Sequence, residues 1–127
     1  MRALLLCLCV CLSLFSCKKE DAAAGRDIFI RVSNASQYQF DNIVVKASGG
    51  ENTYGTVAAG QKSDYKQFTQ AYRYAYIKVT AQGQDLVLQP FDYVGETPLT
   101  PGQYTYVLDV VTGNQNQNQL TIRLEKP

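Results

Sequence analysis

Few residues of this 127-residue chain can carry out chemistry, because it has no histidine and only four cysteines. Without histidine, a serine or cysteine nucleophile lacks its commonest activating base, and the commonest metal ligand is missing. The chemistry that is left is carboxylate chemistry, for instance Asp92 with Glu96, or a lysine with a serine, and neither pair stands in a recognisable motif. Calcium binding by Asp92, Glu96 and loop carbonyls stays open, although no Asp-x-Asp loop supports it. We therefore expect no enzyme, no catalytic residue, no cofactor and no bound metal.

Cys17 is the cysteine that is placed for a defined reaction. Arg2 is followed by an apolar run over residues 3–15, which suits the hydrophobic region of a secretory signal and is too short to span a bilayer. The run ends in the sequence Leu-Phe-Ser-Cys, which resembles the bacterial lipobox. In that motif the small residue, here Ser16, admits the signal peptidase, and the thiol of the cysteine is alkylated by diacylglycerol. A short buried helix is the alternative. A helix of the protein core is not expected to begin directly after a charged residue such as Arg2 and to be followed at once by polar residues.

The lipobox divides the chain into three parts. Residues 1–16 are predicted to be a signal peptide that is cleaved between Ser16 and Cys17, residues 17–25 a lipidated tether, and residues 26–127 the folded domain. The other three cysteines lie in the signal, so the mature chain is expected to have no disulfide and no free thiol. The expected partner is the membrane, through the lipid on Cys17, and the expected location is the outer membrane of a bacterial cell envelope.

The charged residues after Cys17 bear on which face of that membrane the domain occupies. The sequence Lys-Lys-Glu-Asp at positions 18–21 resembles the surface-export signals of Bacteroidota lipoproteins, which are usually more acidic. An ordinary solvated tether accounts for the same residues. The choice between the periplasmic and the surface face therefore stays open.

Short apolar runs with a period of two dominate the chain from residue 26 onward, and no helical pattern interrupts them. With a hydrophobic content of 46%, this pattern predicts an all-β fold: a single antiparallel β-sandwich, immunoglobulin-like or transthyretin-like, of about seven to eight strands. The strands are expected at residues 27–33, 40–47, 53–58, 63–68, 73–81, 85–89, 103–111 and 119–125. The side chains expected to point mostly inward are Ile28, Ile30, Val45, Ile77, Val79, Leu86, Leu88, Leu108, Leu120, Ile122 and Leu124. The net charge of +1 offers no basic field for nucleic acid.

Nine tyrosines and no tryptophan are the unusual feature of the domain. Tyr72, Tyr74 and Tyr76 are predicted to alternate along one face of a strand. Because a tyrosine ring is apolar with a polar tip, these three suit a binding face for another envelope protein or a glycan, together with Tyr93 and Glu96. The alternative is that the rings cover an edge of the sandwich or fill its core, since tyrosine favours strands in any case.

The longest connection without a strand pattern covers residues 91–102, where two glycines and two prolines interrupt the chain. Loops that a rigid sandwich presents are common binding sites. We expect Phe91 to fold back and plug one end of the core, and Tyr93 and Glu96 to contact a partner.

Three stretches resemble small uncharacterised lipoproteins of the Bacteroidota: residues 72–76, 88–99 and 102–106. This resemblance implies an envelope location and no particular activity. More loosely, the sequence Pro-Gly-Gln-Tyr at positions 101–104 is similar to the opening of a late strand in immunoglobulin-like and transthyretin-like envelope modules. The sequence thus predicts a non-enzymatic, lipid-anchored binding or accessory module. The alternatives are a purely structural envelope component and a small carbohydrate-acting enzyme.

Overall fold

Eight β-strands form where apolar and polar side chains alternate in the part of the chain that the structure describes. The structure is a computed structural model that describes residues 27–127, so the predicted signal peptide, cleavage site, lipidated Cys17 and tether lie outside the described residues. The strands are β1 (Ile28–Asn34), β2 (Phe40–Ala47), β3 (Gly50–Val57), β4 (Lys66–Phe68), β5 (Tyr76–Ala81), β6 (Gln84–Leu88), β7 (Gly102–Thr112) and β8 (Asn118–Glu125). Within residues 27–127, no helix has the length and apolar character needed to cross a bilayer.

The strands form two four-stranded sheets, in the orders β4-β1-β7-β8 and β3-β2-β5-β6. The predicted β-sandwich is therefore confirmed. One pairing differs from the antiparallel expectation, because β1 runs parallel to β7 over its whole length. The first and second strands lie in different sheets, whereas an immunoglobulin constant domain places them in the same sheet.

The core lies between the two sheets and follows the period-two pattern of the strands. Along β1 the buried apolar residues are Ile28, Ile30 and Val32, and along β5 they are Ile77, Val79 and Ala81. The other predicted inward positions are confirmed as well. Three of them, Leu88, Ile122 and Leu124, are only partly buried and pack against the margin of the core. β6 and β8 are the outermost strands on the same side of the sandwich, so these side chains have neighbours on fewer sides.

The hairpin between β5 and β6 shows how local sequence fixes the register. Gln82 and Gly83 form its two-residue turn with φ angles of 51° and 72°. Positive φ at both central residues is the requirement of a type I′ turn, which matches the twist of the paired strands. The hairpin sets Ile77 opposite Leu88 at the other end of the strand pair.

Two predicted strands are shorter than expected. The strand expected at 63–68 is reduced to Lys66–Phe68, and the strand expected at 73–81 begins only at Tyr76. The segment over residues 69–75 that joins them lies outside both sheets, and its backbone forms hydrogen bonds with other connecting segments. The Thr69 amide donates to the Gly49 carbonyl, and the Ala71 carbonyl accepts from the Leu99 amide. This segment provides one wall of the candidate site.

Candidate functional site

The connection between β6 and β7, residues 89–101, is fastened at its C-terminal end; we call it the β6–β7 loop. The Leu99 amide donates to the Ala71 carbonyl over 2.8 Å, and the Gly102 amide, just after the loop, donates to the Asp27 carbonyl over 3.1 Å. Tyr104 adds a third contact, because its hydroxyl donates to the Thr100 carbonyl over 2.7 Å. The loop is therefore held against the 69–75 segment and beside the first residue that the structure describes.

Tyr93 is the residue that anchors the middle of the β6–β7 loop. Its ring stacks on Tyr72, with centroids 4.6 Å apart and planes 16° apart, and on Tyr74, with centroids 5.4 Å apart and planes 15° apart. Both distances lie in the favourable range for aromatic pairs, each of which contributes about 0.5–1.5 kcal/mol beyond the area it buries. Burial raises the pKa of the Tyr93 hydroxyl above its usual value.

The two tyrosines beneath Tyr93 are themselves fixed by hydrogen bonds. The buried hydroxyl of Tyr106 donates to the Tyr72 carbonyl over 2.6 Å, and burial raises its pKa strongly. The Tyr74 hydroxyl donates to the Asp92 carbonyl over 3.2 Å. We call Tyr72, Tyr74 and Tyr93 the tyrosine stack. It joins the 69–75 segment, the β6–β7 loop and, through Tyr106, the core strand β7.

A tight turn follows Tyr93 and places Val94 at its tip. The Glu96 amide donates to the Tyr93 carbonyl over 3.0 Å, and Gly95 has a φ of 78°, which a side chain would disfavour. The Val94 amide donates to the Asp92 carboxylate over 3.1 Å. Glu96 in turn accepts from the Arg73 guanidinium over 3.0 Å. Because the Arg73 side chain is mostly exposed, this ion pair adds little stability and serves chiefly to orient the turn.

The apolar side chains next to the tyrosine stack are left in solvent. Phe91 is as exposed as it would be in an extended chain (104%), and Val94 is 87% exposed. The expectation that Phe91 plugs one end of the core is therefore wrong. Phe68, which lies opposite Ile28 at the start of β1, and Tyr106, whose hydroxyl reaches the Tyr72 carbonyl, are 1% and 0% exposed and occupy the core at that end. Tyr93, expected to be free for a partner, is instead the half-buried anchor of the loop.

The structure brings together four of the five predicted contact residues: Tyr72, Tyr74, Tyr93 and Glu96. Tyr76 is separate, since it lies in β5 with the Lys46 ammonium 5.3 Å from its ring centroid. The prediction that Tyr72, Tyr74 and Tyr76 share one strand face is wrong, because the first two precede the strand and stack on the loop instead. Val94 was not among the predicted contact residues, and the glycine that follows it in the sequence was the one available signal of a turn tip.

Asp92 and Glu96, the pair considered for acid–base or calcium chemistry, are both engaged in shaping the turn. Asp92 accepts from the Val94 amide and Glu96 from Arg73, over 3.1 Å and 3.0 Å. Within residues 27–127 no group of three metal-ligating side chains comes together. In this arrangement the two carboxylates act as turn-stabilising acceptors.

A shallow groove of about 800 Å³ runs along β6 and reaches the start of β8. Amide side chains line much of it, among them Gln84, Gln89 and Gln119, and Phe91 forms part of its border. The exposed aromatic ring therefore lies between a polar groove on one side and the tyrosine stack on the other.

These features define a two-sheet β-sandwich that presents two exposed apolar side chains on a loop braced by stacked tyrosines. No family model matches the chain, and no curated protein is significantly similar to it. Among solved structures, the chain is similar to the NMR structure of a protein from Eubacterium rectale, with a TM-score of 0.56 and 18% sequence identity. The match covers 76% of this chain and 88% of that one, and it shows a shared fold.

Proposed function

We propose that the protein is a lipid-anchored, non-enzymatic binding or accessory module of the outer membrane in a Bacteroidota-like cell envelope. The anchor is the lipid on Cys17, and the contact surface is the β6–β7 loop. Support for the anchor comes from the apolar run over residues 3–15 that ends in Ser16 and Cys17. The location rests on the same motif and on the resemblance to Bacteroidota lipoproteins.

The single observation that carries the binding role is the exposure of Phe91 and Val94 on a braced loop. Covering an apolar side chain of this size is worth about 1.5–3 kcal/mol, so leaving both in water forgoes stability that burial would supply. The loop has little freedom to move them, since the tyrosine stack, the turn at Gly95 and the Leu99 hydrogen bond hold it. A fixed apolar surface loses little entropy when a partner covers it, which is the property of a pre-organised contact site.

The contact residues of the proposal differ from those first predicted. The rings of Tyr72 and Tyr74 both stack on the ring of Tyr93, and Glu96 is paired with Arg73. They support the contact surface, whereas Phe91 and Val94 form it. A purely structural envelope component would not require this exposure, and a carbohydrate-acting enzyme would require two carboxylates facing a cleft rather than a turn.

Site-specific photocrosslinking in intact cells tests the contact surface. A photoreactive phenylalanine analogue replaces Phe91 in one strain and the exposed Val111 of β7 in a matched control strain. We expect a discrete crosslinked product, whether to lipid, protein or glycan, from position 91 and not from position 111. Equal crosslinking from both positions, or none from position 91, would contradict the binding role.

A further inference from the structure

The end of the sandwich that carries the β6–β7 loop is also the end from which the chain leaves toward Cys17. β1 and β7 run parallel, with Ile28 opposite Gly102, so both begin at this end. The carbonyl of Asp27 accepts from the amide of Gly102, the residue that follows the loop. The residue that continues to the tether and the base of the loop are therefore hydrogen-bonded neighbours.

The length of the intervening peptide limits how far this end lies from the lipid. Nine residues, 18–26, separate Cys17 from Asp27, so even a fully extended tether reaches only about 33–36 Å. The 11-residue strand β7 has about the same length, roughly 33–36 Å. The tether could place the opposite end of the sandwich at the bilayer, with the loop-bearing end away from it, only by lying fully extended along the whole domain. The loop-bearing end is therefore the end that the tether keeps closer to the lipid.

Electrostatic attraction to lipid headgroups is not the main interaction that this end of the sandwich can form with a membrane. Arg73 is paired with Glu96 and Arg123 with Glu125, and the Lys126 ammonium lies over the Tyr104 ring, 5.8 Å from its centroid. Residues 18–26 carry three basic and two acidic side chains, which leaves a net charge of about +1. The unsatisfied surface is instead apolar: Phe91 at 104% exposure and Val94 at 87%. An apolar pair above amphipathic tyrosines suits the boundary between headgroups and acyl chains.

We propose that the partner of the β6–β7 loop is the lipid surface itself, and that Phe91 and Val94 insert into the interfacial region of the membrane that holds the Cys17 lipid. This inference rests on the proposed lipid anchor and names the partner of the same loop. The diacylglycerol on Cys17 supplies two acyl chains, which already anchor a protein stably, so the inserted side chains chiefly fix the orientation of the domain. The opposite end, where Thr112 pairs with Asn118, is then directed away from the bilayer.

The absence of tryptophan makes a direct test possible. Phe91→Trp introduces a single tryptophan at an exposed position, where the larger ring meets no packing constraint. The full-length protein, processed in cells and purified with its lipid, is reconstituted into phosphatidylcholine vesicles with and without brominated acyl chains. Val111→Trp, toward the opposite end of β7, is the matched control. We expect brominated lipid to remove most of the emission of the Phe91→Trp protein, with a shift to shorter wavelength, and to leave the emission of the Val111→Trp protein nearly unchanged.

The outcomes separate this inference from the proposal beneath it. If the purified protein does not float with the vesicles, the lipid anchor is absent and both proposals fail. If it floats but the two variants are quenched equally, the anchor stands and the membrane contact is wrong. The contact is also wrong if the emission of the Phe91→Trp protein shifts only in native envelope membranes, since a protein or a glycan then covers the loop. Replacing half of the lipid with phosphatidylglycerol is expected to change the quenching little, and strong dependence on that lipid would overturn an apolar contact.

Discussion

The hydroxyl of Tyr106 donates to the backbone carbonyl of Tyr72 over 2.6 Å, and this bond joins the core of the sandwich to the tyrosine stack. Tyr106 is fully buried in β7, whereas Tyr72 lies in the irregular 69–75 segment. Through Tyr72 the bond reaches Tyr93 and hence the β6–β7 loop. The position of the exposed apolar pair therefore depends on a side chain of the core.

Tyr106→Phe should destabilise the domain and loosen the loop together. The change removes one hydrogen bond and leaves the Tyr72 carbonyl without its donor, at a cost of about 1–3 kcal/mol. Urea unfolding measures the loss, and amide hydrogen exchange at Leu99 and Glu96 should become faster. Tyr65→Phe is the control, because Tyr65 is partly exposed beneath Arg31 and its change should stay within about 0.5 kcal/mol. Equal effects of the two substitutions would contradict the anchoring role of Tyr106.

Tyr93→Ala and Phe91→Ala should have opposite profiles. Tyr93→Ala removes two stacked contacts, so we expect about 1–3 kcal/mol less stability from the two pairs together. Phe91→Ala removes a ring that touches little, so the free energy of unfolding should change by less than about 0.5 kcal/mol while binding is lost. Thermal unfolding of both variants checks the first part, and crosslinking from a photoreactive residue at position 94, with Phe91 present or replaced by alanine, checks the second. A large loss of stability in Phe91→Ala would contradict the exposed position of the Phe91 ring and would favour the buried position that the sequence suggested.

The strands were predictable because alternation is a local property of the sequence, and burial on one face explains it directly. Ile28, Ile30 and Val32 occupy the core as their spacing indicates, and the Gln82-Gly83 turn follows from its residue types. The β6–β7 loop was not predictable in the same way. Whether Phe91 or Tyr93 turns inward depends on what already fills the end of the core and on where the other tyrosines of the stack lie. Those are contacts between segments about 20 residues apart in sequence, which no local pattern records.

Substitutions in the core should show the difference between its centre and its margin. Ile77→Ala removes a fully buried side chain and should cost about 2–5 kcal/mol. Ile122→Ala, at a position expected from the sequence to point mostly inward, should cost less, since Ile122 is only partly buried on the outermost strand β8. Urea titration of both variants makes the comparison. An equal or larger loss for Ile122→Ala would place β8 deeper in the core than the structure does.

Stability should be nearly independent of pH between about 6 and 9 and fall in alkali. The chain has no histidine to titrate in the lower range. Burial raises the pKa of Tyr54 and of Tyr106 well above the usual value near 10. Above about pH 10 the unfolded chain therefore loses phenolic protons that the folded chain keeps, so stability present below that pH is lost as the pH rises. Unfolding free energies at pH 9 and pH 11 measure the fall, and Tyr54→Phe should reduce its slope. A wild-type slope that Tyr54→Phe leaves unchanged would contradict this assignment.

The most direct test of the central claim is fatty-acid labelling of living cells that express either the wild-type chain or Cys17→Ala. Cells are fed a clickable fatty acid, and the protein is isolated and probed for the label. The account predicts that the wild type is labelled and recovered in the membrane fraction, whereas Cys17→Ala is unlabelled. Equal labelling of the two proteins, or an unlabelled wild type, would contradict a lipid anchor at Cys17.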